Sequence, residues 1–280
     1  MELGLVDQLA YCTVRIECDL GNNIVSTGTG FFFHFCDGEE KVLPAIVTNK
    51  HVLAGAQKIR LFLTKMNEKK QRLKGQHEIV EFDLNKDDRI RIAFHPENLD
   101  MAIITLGKFL LDSEEKGIRY FFKPIANDSI PSQEILDDFS VMEDIIMVGY
   151  PSGMFDEKNN MPIIRKGITA THPALNYQGR SEFVADIASF PGSSGSPVFL
   201  LNLGGYTDNK GIYHLGKHRL YLLGLLYAGP QYNAQGEITI APIPTTNKPI
   251  SQTKIPMNLG YIIKSNNLLI WEEYVRGNVS

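Results

Sequence analysis

The sequence predicts an all-β protein of the sandwich or barrel type, and three observations carry that expectation. Short runs rich in Val, Ile, Phe and Tyr recur between turn residues, most are too brief for helices, and there are many of them for 280 residues. In chain order the runs begin with CTVRIEC (12–18), GTGFFFHF (28–35), KVLPAIVTN (41–49) and KIRLFLT (58–64). IRIAFHP (90–96), MAIITL (101–106) and DIIMVGY (144–150) follow. The last four are EFVADI (182–187), SPVFL (196–200), LYLLGLLY (220–227) and LGYIIK (259–264). Some alternate apolar and polar residues, as in CTVRIEC, and others are short apolar blocks, as in MAIITL. The exception is SNNLLIWEEYVRG: Ser265 or Asn266 can cap it, Leu268, Trp271 and Val275 share a face, and Gly277 lies beyond. That pattern predicts a terminal amphipathic helix.

Between the runs lie polar stretches. The acidic, turn-rich DSIPSQEILDDFSVMED (128–144) sits mid-chain and is expected to connect two halves, 1–130 and 131–280. Residues 64–78, 151–162, 202–218 and 229–256 are expected to be loops or hairpins added to a compact scaffold. No internal repeat is evident.

Composition narrows the function. The net charge is -4, with 43% hydrophobic and 21% charged residues, so nothing in bulk suggests a nucleic-acid partner or an anionic membrane. No apolar run is long enough to span a bilayer, and the first twenty residues do not read as a secretory leader. Cys12, Cys18 and Cys36 cannot all pair with one another and have no metal-type spacing, which favours a reducing, cytoplasmic setting and a buried structural role. His214 and His218 have metal-like spacing but no third ligand, so surface histidines are expected there. No metal and no cofactor are implied.

The stretch FPGSSGSPVF (190–199) concentrates turn chemistry. A nucleophilic serine needs a base, a group that orients the base, and donors for an oxyanion. Gly192 allows the backbone to turn its N–H inward, so that it converges with the N–H of Ser194, the presented serine, while Ser193 turns away. Gly195 leaves room for a substrate backbone, and Pro197 biases the chain to extended geometry, so a strand is expected to resume at PVFL. The base candidate is His51, just past a strand end, and the orienting acid is Asp100, at the head of an apolar strand where a ring N–H would offset its burial. Base, acid and nucleophile then follow in the order 51, 100, 194, one of the orders in which such triads occur.

These segments together resemble trypsin-like (chymotrypsin-fold) serine peptidases, most of all the HtrA/Deg-like branch. GTGFFF, AIVTNKHVLAGAQKI, NLDMAIITL, IIMVGYPSGM, ADIASFPGSSGSPVF, LLGLLYAG and NLGYIIKSNNLL match family segments in the family's order, from about residue 13 to 271. The resemblance implies two six-stranded Greek-key β-barrels with a C-terminal α-helix, the first barrel carrying His51 and Asp100 and the second Ser194. It implies peptide-bond hydrolysis through an acyl-enzyme, with Gly192 and Ser194 N–H groups as the oxyanion hole. The primary pocket is implied to have Ala188 at its base and Tyr227, Ala228, Gly229 and Gly260 as walls, which predicts an uncharged, apolar or small side chain before the cut. Ser193 stands where digestive relatives have Asp, so activation by a new amino terminus is not expected, and no peptide-binding module is expected after the peptidase domain. The partners implied are a protein or peptide substrate and, in one alternative, an activating partner protein that releases an effector protease from an inactive state. The other alternative is a catalytically silent peptide-binding scaffold.

Overall fold

The computed structural model describes residues 3–38, 42–237 and 250–279. A short helix α1 (Leu5–Leu9) leads into β1 (Thr13–Asp19), β2 (Val25–Phe35) and β3 (Leu43–Thr48). The one-turn helix α2 (Lys50–Leu53) follows, then β4 (Lys58–Met66), β5 (Arg72–Asp83), β6 (Arg91–Phe94), β7 (Ala102–Thr105) and helix α3 (Gly107–Glu115). These strands form a sheet in the order β5-β4-β1-β2-β3-β7-β6. The order β4-β1-β2-β3 within it is a Greek key. The first half therefore has seven strands among the described residues, not the expected six, and β5 and β6 lie at its edges. The polar stretch 64–78 forms part of the β4–β5 hairpin, whose pairing runs out to Met66 and Arg72, and β6 pairs with β7 at the other edge.

The chain then crosses through helix α4 (Gln133–Asp137) to β8 (Asp144–Gly149), β9 (Ile163–Thr169), β10 (Glu182–Asp186) and β11 (Pro197–Asn202). A hairpin of β12 (Gly205–Thr207) and β13 (Tyr213–Leu215) precedes β14 (Arg219–Ala228), and a second of β15 (Gln231–Glu237) and β16 (Ile250–Pro256) precedes β17 (Leu259–Lys264). Six of these strands close into a barrel in the order β10-β17-β14-β11-β8-β9, again containing a Greek key, β11-β8-β9-β10. Part of the expected loop 229–256, residues 238–249, lies outside the described residues. The chain ends in α5 (Asn267–Val279), in the region where the capped apolar pattern predicts it.

The alternation of side chains explains how the halves join. In β2, Phe31, Phe33 and Phe35 point to one face and Phe32 to the other. Phe32 enters the core of the first half with Val14, Ile16, Ile46 and Leu61, while the other three enter a shared core with Val47, Val148, Phe199 and Leu225. β8 divides in the same way: Ile146 and Val148 face the shared core, and Ile145 and Met147 fill the second barrel with Phe183 and Val198. Strands buried on both faces read as continuous apolar blocks, which is why FFF and IIMV look as they do.

Helix α5 closes this joint. Leu268 and Trp271 are fully buried in the shared core, with Trp271 edge-on to Phe35 and His95 of the first half. His95 Nε2 lies 3.1 Å from the Asn267 carbonyl. The Glu272 carboxylate accepts from the Cys36 N–H at 2.6 Å and from the Asn127 amide. Replacing Trp271 by Ala should therefore cost about 3–5 kcal/mol of stability in denaturant unfolding, whereas Leu269→Ala, at a 39% exposed position, should change it by less than about 0.5 kcal/mol.

Candidate active site

Helix α2 has one turn; the Val52 N–H finds the carbonyl of the N-cap residue Asn49 at 3.2 Å, and the N–H groups before it need partners from elsewhere. Asn49, its N-cap residue, makes no side-chain cap; instead its amide donates to the Asp100 carbonyl at 2.7 Å. The Asp100 side chain takes over the capping role. Its Oδ1 accepts the His51 backbone N–H at 2.9 Å, and its Oδ2 lies 2.6 Å from the His51 ring Nδ1. Two contacts to one carboxylate fix both the backbone and the ring of His51. The loop before Asp100 is held as well: Asn98, with positive φ, donates its N–H to the His95 carbonyl and accepts from Lys50 Nζ.

Burial alone would raise the Asp100 carboxyl, but the hydrogen bonds from the His51 ring and backbone outweigh it and hold the group below its usual value. The acid therefore stays ionised, and an ionised Oδ2 accepts the Nδ1 proton and directs the other ring nitrogen outward. The His51 side chain remains 47% exposed, open to the cleft.

The Ser194 turn is docked onto the first half at Thr29 of β2. Thr29 N–H donates to the Ser194 carbonyl at 2.9 Å, and its hydroxyl donates to the Gly192 carbonyl at 2.9 Å while accepting the Tyr150 N–H at 3.1 Å. Thr48, three residues before His51, donates its hydroxyl to the Thr29 carbonyl at 2.7 Å. The space a Cβ would need at Gly195 is already filled by the Thr29 carbonyl and the Thr48 hydroxyl, so the role expected of Gly195 changes: it admits the protein's own backbone. The turn and the His51 segment are thus neighbours through two threonines. Ser194 is partly exposed and Ser193 is fully buried. Among the described residues no hydrogen bond joins the Ser194 hydroxyl to the His51 ring; such bonds are often long before substrate binds.

Gly192 has φ +83°, and a Cβ there would meet the Tyr150 carbonyl at 2.7 Å and Ser152 N at 3.0 Å. The Pro191 carbonyl accepts the Ser152 N–H at 2.5 Å. In a trans peptide the N–H points opposite to the carbonyl, so this bond turns the Gly192 N–H away from the 150–153 loop. Neither Gly192 N–H nor Ser194 N–H donates a hydrogen bond among the described residues. The turn thus holds two uncommitted donors beside a serine hydroxyl.

A cavity of about 150 Å³ borders Ser194, lined by Ser189, Phe190, Pro191, Leu226, Ala228, Gly229 and Pro230. Of the expected wall residues, Ala228 and Gly229 line it and Tyr227 and Gly260 do not, nor does Ala188, expected at its base. The Tyr227 hydroxyl is bonded to Glu182 at 2.5 Å, and Gly260 lies behind Ser189, where a Cβ would come within 2.9 Å of the Ser189 hydroxyl. The Ala188 carbonyl accepts from Arg165 Nη1 at 3.0 Å. A larger cavity of about 500 Å³, lined by Tyr11, Arg72, Lys74, Asp156 and neighbours, lies elsewhere and holds none of these groups. His214 and His218 bind Asp208 and the Gly204 N–H respectively, and no cluster of three metal-ligating side chains occurs among the described residues.

Sequence reasoning missed Thr29, Thr48, Ser152 and Arg165. The threonine of GTG was the available signal: a polar residue between two glycines in an otherwise apolar run needs a buried partner.

Two outcomes follow for this geometry. Thr29→Val leaves the Gly192 carbonyl and the Tyr150 N–H unpaired, so urea unfolding should show a loss of about 1–3 kcal/mol for each. Asp100 has a folded value depressed below its unfolded value of about 4, so its stabilisation is complete above that pH and is lost as pH falls through the folded value. The stability difference between wild type and Asp100→Asn should accordingly shrink on acidification below about pH 4; a difference independent of pH would contradict the clamp.

Comparison with known proteins adds the family. Solved structures that resemble the chain include the active form of the Rv3671c protease from M. tuberculosis, at 13% identity and TM-score 0.48, covering 94% of this chain and 80% of that one. Deg5 is 16% identical with TM-score 0.42, covering 79% and 81%. The catalytically active tobacco etch virus protease complexed with product is 12% identical with TM-score 0.49, covering 97% and 81%. The comparison with curated proteins found no match. The model of the trypsin-like peptidase domain matches residues 28–204, more than half of the chain and the span that holds both the His51–Asp100 pair and the Ser194 turn. The chain therefore belongs to the trypsin-like peptidase family, and it is a peptidase with an all-β, trypsin-like fold.

Proposed function

We propose that the protein is a serine endopeptidase in which Ser194, His51 and Asp100 act as one unit. Ser194 Oγ attacks the scissile carbonyl, His51 Nε2 takes its proton and later returns it to the leaving amine, and Asp100 holds the Nδ1–H tautomer and stabilises the imidazolium. The acyl-enzyme on Ser194 is then hydrolysed by water with His51 as base. The oxyanion of each tetrahedral intermediate is held by the N–H groups of Gly192 and Ser194. The observation that carries this reading is the two-point clamp of Asp100 on His51, at 2.9 and 2.6 Å, on a segment tied through Thr48 and Thr29 to the Ser194 turn.

The resting enzyme is preorganised in this reading. The Ser152–Pro191 bond supports this, because it orients the Gly192 peptide from the loop after β8. We further propose a Deg-like peptidase acting in a reducing compartment such as the cytoplasm on protein or peptide substrates, with the halves dividing near residue 130. Burial raises the thiols of Cys12 and Cys18, the latter to about 12, which leaves both unreactive as thiolates. No helix among the described residues is long and apolar enough to cross a membrane.

A serine-directed fluorophosphonate should label wild type and not Ser194→Ala, and hydrolysis of a denatured protein should fall roughly a millionfold in that variant. Equal labelling of the two sinks the serine mechanism. Gly192→Ala, strained at φ +83° and crowded against Tyr150, should lower kcat by about 10²–10³ with a smaller change in KM; unchanged kcat would leave the oxyanion role without support.

A further inference from the structure

Arg165 enters the second barrel where no arginine is expected. It lies on β9 opposite Met147 of β8, and directly opposed residues of an antiparallel pair share a face. Met147 is in the core of that barrel, so Arg165 lies on the inner face as well. Its guanidinium lies 4.8 Å from the Phe190 ring centroid and donates through Nη1 to the Ala188 carbonyl at 3.0 Å. Phe190 and Ser189 are walls of the cavity at Ser194. The cation is thus set against the wall of the one cavity that borders the nucleophile turn among those described.

Its charge is unbalanced. Arg165 takes part in no ion pair among the described residues, and its Nε is buried without a hydrogen-bond partner. Lys166, the next residue, is on the opposite face and pairs with Asp144. A part-buried guanidinium without an anion is costly unless something supplies one. A planar group with donors in reserve suits a carboxylate, which can accept two parallel hydrogen bonds from it. The cavity walls among the described residues are neutral.

Resting on the serine-peptidase reading above, we propose that Arg165 sets the specificity of the pocket at Ser194 for an acidic side chain, Glu or Asp, on the residue whose carbonyl is attacked. The preference expected from Ala188 alone, for an apolar or small side chain, gives way because the charge comes from a different strand. The cavity of about 150 Å³ has room for one side chain of modest length, consistent with a single carboxylate-bearing residue.

The test uses the full chain and a peptide series that differs only at that residue: Glu, Asp, Gln, Leu, Ala and Lys. Fluorophosphonate labelling of each variant serves as the active-site control. Wild type should cleave the Glu or Asp peptide with kcat/KM on the order of ten- to a hundredfold above the Gln and Leu peptides. Arg165→Gln should bring the acidic peptides and the Gln peptide to the same kcat/KM in a preparation that still labels, and Arg165→Lys should restore part of the difference. If Arg165→Gln is unstable, the Arg165→Lys variant and the wild-type ranking still decide the matter. Labelling of wild type together with a preference for Leu, Ala or Lys, or an acidic preference that survives Arg165→Gln, overturns the pocket proposal alone. Absence of both labelling and cleavage in wild type overturns the serine-peptidase reading and the pocket with it.

Discussion

The working parts of this molecule are held together at Thr29. This side chain and its peptide make hydrogen bonds to Ser194, Gly192, Tyr150 and Thr48, drawn from both halves, in a fully buried setting. Buried polar groups are costly unless paired, so a set with every member paired has one arrangement and few alternatives. The nucleophile turn comes from one half and the histidine segment from the other. Their relative position is only as accurate as this junction. The glycines at 28 and 30 leave Thr29 flanked by backbone, and Gly195 lets a second backbone come against it.

Much of the fold could be read from the sequence because most of its strands are apolar on one or both faces. FFF, MAIITL and IIMVG are blocks since both of their faces are covered, and CTVRIEC alternates as a sheet strand should. β9 was not legible. IIRKGIT contains an arginine, a lysine and a glycine, so no apolar period marks it, and it is the strand that carries Arg165. Helix α3 was missed as well, for its nine residues, GKFLLDSEE, bury only Phe109 and Ser113. His51, Asp100 and Ser194 stood out because turn residues and order are local features of a sequence. Which side chains reach the cavity depends on strand register, and Tyr227 shows the difference: it is adjacent to Ala228 in sequence yet turns its hydroxyl to Glu182.

The turn also shows how a site can do without a buried charge. Ser193 is fully buried and its hydroxyl has no partner, so it contributes volume where an aspartate would need a cation. The orientation of the Gly192 peptide is carried instead by Ser152, whose own backbone lies in the left-handed region at φ 51°. A non-glycine residue there stores a modest strain that the surrounding structure must sustain. Control of the donors is thus delegated to the short loop after β8.

Helix α5 carries a consequence for how the two halves move against one another. Trp271 and Glu272, among the last residues of the chain, fill the joint between the halves and bind Cys36 and Asn127 from the first. The two sheets are therefore not coupled by their own strands alone: a third element, tied to one of them by hydrogen bonds and packed against both, sets how far they can shift past one another.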